Sequence, residues 1–123
     1  MRRLKGSHRT KPPRVRCGGG PGKRCASVSG RLPPETVQRI VRQNFGRLRA
    51  CYANLLLENP GLMARVEVRF VIGRDGSVGS VSGSGDGPGA LTSCVTKGFY
   101  GMSFPQPADG VVAVTYPIVF SPE

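Results

Sequence analysis

Two stretches of this chain alternate between apolar and polar residues, and that period limits what the rest can be. From Arg65 to Ile72, Val66, Val68, Phe70 and Ile72 fall on one side and Arg65, Glu67 and Arg69 on the other. Near the end, Val112, Val114, Tyr116, Ile118 and Phe120 alternate with Ala113, Thr115 and Val119. A period of two gives a strand with one buried face, and a sheet built from such strands needs a covering layer.

Helical patterns supply that layer. Pro33, Pro34 and Glu35 suit a helix entry, because proline is preorganised for the first turn and a carboxylate there complements the helix dipole. Val37, Ile40, Val41, Leu48, Cys51, Tyr52, Leu55 and Leu56 then recur at three- and four-residue spacing, predicting one apolar stripe along a helix of about six turns. Asn59-Pro60-Gly61 ends it. Leu91, Cys94, Val95, Phe99 and Met102 predict a shorter second helix, interrupted by Gly98 and Gly101 and stopped before Pro105.

Asp75-Gly76 reads as a two-residue hairpin turn. Ser77 to Ser82 returns as an antiparallel strand in which Val78 and Val81 pack, and Gly83 to Gly89 reads as a flexible connection. The order is α-β-β-α-β: an α+β fold with a small three-stranded antiparallel sheet packed on two helices. Pro117 has no amide donor, so the last strand is expected to have a free edge there.

The chain has 123 residues, 18 of them glycine and 11 proline, with a formal charge of +11. This length holds one modest core, placed at residues 30–123. Residues 1–29 read as a basic, Gly- and Pro-rich disordered tail or linker without helical or strand period. Of the 18 Lys and Arg residues, Arg2, Arg3, Lys5, Arg9, Lys11, Arg14, Arg16, Lys23 and Arg24 lie in that tail, which holds no acidic residue. Two readings of the tail stay open: a solvated linker, or a polyanion-binding arm for nucleic acid or anionic lipid. No stretch approaches the roughly 20 apolar residues of a membrane helix. Met1-Arg2-Arg3-Leu4-Lys5 resembles the charged opening of an export signal, yet no apolar region follows it.

Cys51 and Cys94 fall on the apolar stripes of the two helices and are expected to point into the gap between helix and sheet. There they form either a disulfide or two separate buried thiols, since cysteine is a common core residue. A bridge closing a loop of about 40 residues would contribute roughly 3–4 kcal/mol. Cys17 and Cys25 lie in a Gly-rich stretch without the close cysteine pairs and histidines of a zinc knuckle, so a second, exposed disulfide is the expectation. An even cysteine count favours an oxidising compartment.

The residues suggest no catalytic machinery. The single histidine, His8, sits in the tail without a nucleophile pattern around it. Glu35, Glu58, Glu67, Asp75, Asp86 and Asp109 fit helix ends, a strand face and turns. Gly18-Gly19-Gly20 and Gly83-Ser84-Gly85 lack the context of a phosphate loop and read as linkers. No metal, cofactor or small-molecule substrate is expected.

Several stretches together resemble a known family: Gly30-Arg31-Leu32-Pro33-Pro34-Glu35, Ile40-Val41-Arg42, Arg49-Ala50-Cys51-Tyr52, Asn59-Pro60-Gly61-Leu62, Val66 to Ile72, Ser93-Cys94-Val95, Phe104-Pro105-Gln106-Pro107 and Val114 to Phe120. In this order and spacing they look like the AgmX/PglI C-terminal domain, a myxobacterial relative of the TonB C-terminal domain. The resemblance implies a TonB-like fold and a non-catalytic periplasmic or envelope module of energy-transducing, transport or gliding-motility machinery. It also implies a Cys51–Cys94 disulfide and a partner, an outer-membrane or envelope-protein peptide, gripped by β-strand addition. Val111, Ala113 and Thr115 on the last strand are the contact residues expected from this, with a homodimer through edge strands or a covered strand as the other outcomes.

Overall fold

A computed structural model of the protein describes residues 13–18 and 25–122. His8, the cations from Arg2 to Lys11, Gly19, Gly20, Lys23 and Arg24 lie outside these described residues. The elements are β1 (Arg14–Cys17), β2 (Ser27–Ser29), α1 (Pro34–Gln43), α2 (Phe45–Leu56), β3 (Ala64–Ile72), β4 (Val78–Gly85), α3 (Gly89–Tyr100) and β5 (Val112–Ser121). Among the described residues the fold is α+β, with a five-stranded antiparallel sheet and three helices.

The sheet path is β1-β5-β3-β4, and β2 also pairs with β5. β3 and β5 form its spine, registered from Ala64↔Phe120 to Ile72↔Val112. The inward residues of the two alternations, Val66, Val68, Phe70, Ile72, Val112, Val114, Tyr116, Ile118 and Phe120, are buried. Against them pack Val37 and Val41 of α1, Leu48 and Tyr52 of α2, and Leu91, Val95 and Phe99 of α3. Aromatic pairs tie the layers, with ring centroids 5.2 Å apart for Tyr52–Phe120 and 5.0 Å for Phe70–Phe99, distances at which tilted rings attract.

Several expectations change. The expected six-turn helix is two helices, divided at Asn44. Its side-chain amide donates to the Ile40 carbonyl (2.8 Å), so a local side-chain bond replaces the backbone bond that would continue the helix. The sheet has five strands rather than three, because residues from the expected tail supply β1 and β2. The β3–β4 turn is one residue longer than a two-residue hairpin. Gly76 N–H donates to Gly73 O (2.9 Å) and Gly73 N–H to Ser77 O (2.8 Å), while Gly76 takes φ +88. That is a three-residue loop closed by a glycine in the left-handed region. Asp75 accepts from the backbone and hydroxyl of Ser77, which hold its carboxyl below the usual range.

β4 also runs on through Gly83-Ser84-Gly85, which the sequence reads as a connection. Here glycine serves close packing: a Cβ on Gly83 would lie 2.8 Å from the Thr96 hydroxyl. Helix α3 therefore lies directly on the end of β4.

Both disulfides form, Cys51–Cys94 and Cys17–Cys25, with Cα separations of 5.9 and 5.5 Å. The first does not sit between helix and sheet as expected. On α3 the inward positions are Leu91, Val95 and Phe99, and Cys94 lies to one side of them, exposed. The bridge therefore joins α2 to α3 within the helix layer. Chain-entropy arguments give this 43-residue separation a contribution of about 4 kcal/mol and the shorter Cys17–Cys25 loop about 2–3 kcal/mol. Denaturant titration of Cys51→Ala/Cys94→Ala should thus show a loss of about 3–4 kcal/mol, larger than that of Cys17→Ala/Cys25→Ala.

Burial pushes the Tyr52 and Tyr116 hydroxyls up in pKa, partly offset at Tyr116 by the Arg42 guanidinium. In the folded protein both stay neutral where an unfolded chain would ionise them. Their contribution is therefore complete below about pH 10 and is lost as pH rises through the folded-state values. Alkaline denaturation should begin near pH 10, and Tyr116→Phe should make it less steep.

Candidate partner-binding edge of the sheet

A sheet binds an extended peptide where a strand edge offers unpaired N–H and C=O groups. The sequence places that edge on β5, at Val111, Ala113 and Thr115. The structure gives β5 neighbours on both sides. Ala113 and Thr115 lie opposite Ser29 and Ser27 of β2, and Ile118 to Ser121 lie opposite β1. Val111 precedes the strand and is 56% exposed. The edge assigned to a partner is thus occupied by the chain's own N-terminal segment.

Pro117 marks where that cover is interrupted. In a strand, a residue's N–H and C=O face the same edge, and successive residues alternate. The Pro117 carbonyl accepts from Gly18 N–H (2.9 Å), so the missing donor of Pro117 also faces the β1/β2 side. β1 ends at Cys17↔Ile118 and β2 begins at Ser27↔Thr115. Among the described residues, pairing along β1 thus reaches Gly18, opposite the one residue of β5 that cannot donate to it. The Cys17–Cys25 bridge links the end of β1 to the start of the segment carrying β2, and Arg65 Nη1 donates to Gly18 O (3.0 Å). The free edge expected at Pro117 is therefore not found, since Gly18 bonds its carbonyl; among the described residues the interruption in pairing lies between β1 and β2.

The other side of the sheet is different. No strand among the described residues lies beyond β4. Val81 N–H donates to the Tyr100 hydroxyl (3.2 Å), which shows that Val81, and by alternation Gly83 and Gly85, direct their backbone groups outward. Tyr100 covers the first of these positions. Beyond it, an open groove of about 640 Å³ runs between Gly83 and Gly85 of β4 and Thr92, Ser93, Thr96 and Lys97 of α3. The Thr96 hydroxyl donates to the Thr92 carbonyl (2.6 Å) and faces Gly83, and Lys97 sets a cation at one side.

The sequence carried one signal for this edge. Ser80, Ser82 and Ser84 continue the outward alternation past Ser82, with glycine at the inward positions, a pattern typical of close approach by another element. Nothing in the sequence shows that the N-terminal segment covers the opposite edge, because Arg14–Cys17 and Ser27–Ser29 are too short to display a period. No group of three or more His, Cys, Asp or Glu among the described residues is placed to hold a metal ion.

If β2 covers β5, the Thr115 amide is bonded within the protein. Thr115→Pro should then release Ser27–Ser29 and cost about 1 kcal/mol, measurable as faster amide exchange at Ser27 and Ser29 with β3–β4 unchanged.

No protein-family model, no curated protein and no solved structure matches this chain.

Proposed function

We propose that this protein is a non-catalytic interaction module that binds an extended segment of a partner by adding it as a strand to the outer edge of β4. The observation that carries this reading is the pairing pattern. β5 is paired on both sides and β3 lies between β5 and β4, so the edges of the sheet are the short β1 and β2 on one side and β4 on the other, and β4 sets outward backbone groups at Gly83 and Gly85 beside an open groove.

A peptide in that groove would draw affinity from main-chain hydrogen bonds and register from alternate side chains resting on Thr92 and Thr96. Lys97 would favour a partner with a carboxylate nearby. Two disulfides suit a compartment outside the cytoplasm, and no helix among the described residues is long and apolar enough to cross a membrane. Together with the TonB-like resemblance of residues 30–120, these features support placement in an envelope transport, energy-transducing or motility assembly, with an envelope protein as the partner.

The test is selection of extended peptides from a displayed random library, followed by calorimetry and amide shift mapping. The largest shifts should fall on Val81–Gly85 and α3. Ser93 is exposed on the groove wall, so Ser93→Phe should fill the groove, weaken binding at least about tenfold and leave the melting temperature unchanged. Selected peptides that shift other surfaces, or that bind Ser93→Phe equally well, would contradict the proposal.

A further inference from the structure

Among the described residues no element covers the face of the sheet away from the helices, and its charge is gathered at one corner. Register places Arg16 of β1 opposite Val119 of β5, and Val119 opposite Arg65 of β3. Arg14 stands two residues before Arg16, opposite Ser121. Strand spacing puts these three guanidinium groups around one patch, and all three residues are exposed. The Asp86 carboxylate at this corner accepts the backbone N–H of Arg65 (2.8 Å). Farther along the face, Arg69 is paired with Glu67 at 2.8 Å, so the net positive charge lies at this corner, where Arg14, Arg16 and Arg65 outnumber Asp86.

Two apolar side chains in the connection that leads into this corner are open to solvent. Met63 directly precedes β3, continues the outward alternation of Arg65 and Arg69, and is 66% exposed. Tyr52 donates to the carbonyl of Leu62, which fixes the connection just ahead of Met63. Leu57, in the same α2–β3 connection, is 83% exposed. Large exposed apolar side chains beside unbalanced arginines form the pattern of an interfacial anchor: the apolar groups enter the acyl boundary and the cations meet the headgroups.

We infer that the corner formed by Arg14, Arg16 and Arg65, with Met63 and Leu57, docks the protein on an anionic phospholipid surface. Guanidinium groups pair with phosphate through two parallel N–H donors. Charge complementarity extends into the sequence ahead of β1, where Arg2, Arg3, Lys5, Arg9 and Lys11 precede Arg14 without an acidic residue. A nucleic acid fits this surface less well. The uncovered face consists of Arg, Ser, Glu, Thr, Val, Ala and Pro side chains with no aromatic ring for a base to stack on, and exposed Met and Leu gain nothing from a phosphate backbone.

Binding of the full chain would be measured by co-sedimentation with vesicles of equimolar phosphatidylglycerol and phosphatidylcholine, with phosphatidylcholine vesicles and a DNA duplex as further arms. Binding to the anionic vesicles is expected, falling with salt and absent on phosphatidylcholine. At about fivefold per arginine, Arg14→Gln/Arg16→Gln should weaken it about 25-fold and flatten its salt dependence. Leu57→Ser/Met63→Ser should weaken it roughly tenfold with the salt slope unchanged. Arg39→Gln/Arg42→Gln, on the exposed side of α1, should stay within about twofold of the parent. The inference is overturned by equal binding to phosphatidylcholine, by tighter binding to the duplex, by an Arg39/Arg42 effect as large as that of Arg14/Arg16, or by an unaffected Leu57/Met63 variant.

Discussion

The β3–β5 ladder runs from Ala64↔Phe120 to Ile72↔Val112, and the three helices of the described residues pack on its apolar side. Each inward residue there is fully or almost fully buried, so a one-residue slip would expose five apolar side chains on each strand and bury Arg65, Glu67 and Arg69. That penalty fixes the register. With the ladder fixed, β4 can only follow β3 through the Gly76 turn, and α3 returns across β4 because Gly83 and Gly85 leave room for it.

The N-terminal segment depends on the same ladder from the other side. β1 and β2 run in the same direction along β5, and together they behave as one strand interrupted opposite Pro117. A proline in an inner strand would ordinarily leave a ladder bond unmade within a continuous pair. Here β1 ends one residue before that point, Gly18 still donates to the Pro117 carbonyl, and the Cys17–Cys25 bridge ties the end of β1 to the segment that pairs again from Ser27. The second disulfide acts elsewhere, fastening α2 to α3 so that both stay on the sheet. Two covalent links thus tie the N-terminal strand segments to each other and α2 to α3, as suits a small core.

Much of the core was legible in the sequence because its signals are periodic. The inward sets of β3 and β5, the inward residues of α1 and α2 and the α+β class all follow from spacings of two or of three and four. The break at Asn44 was not legible, since the apolar stripe passes through it without interruption and only a side-chain amide decides it. The covering of β5 was not legible either: Val15 and Val28 are single apolar residues in short strands, and their pairing depends on a distant partner. That pairing moves the open edge from β5 to β4, and with it the place where a partner strand would add.

Amide hydrogen exchange of the full chain, read residue by residue, tests this assignment most directly. The account predicts protection at Ala113, Thr115 and Val119, whose amides face β2 and β1, and rapid exchange at Gly83 and Gly85, whose amides face solvent. Rapid exchange at Ala113 and Thr115 together with protection at Gly83 and Gly85 would contradict it and return the open edge to β5.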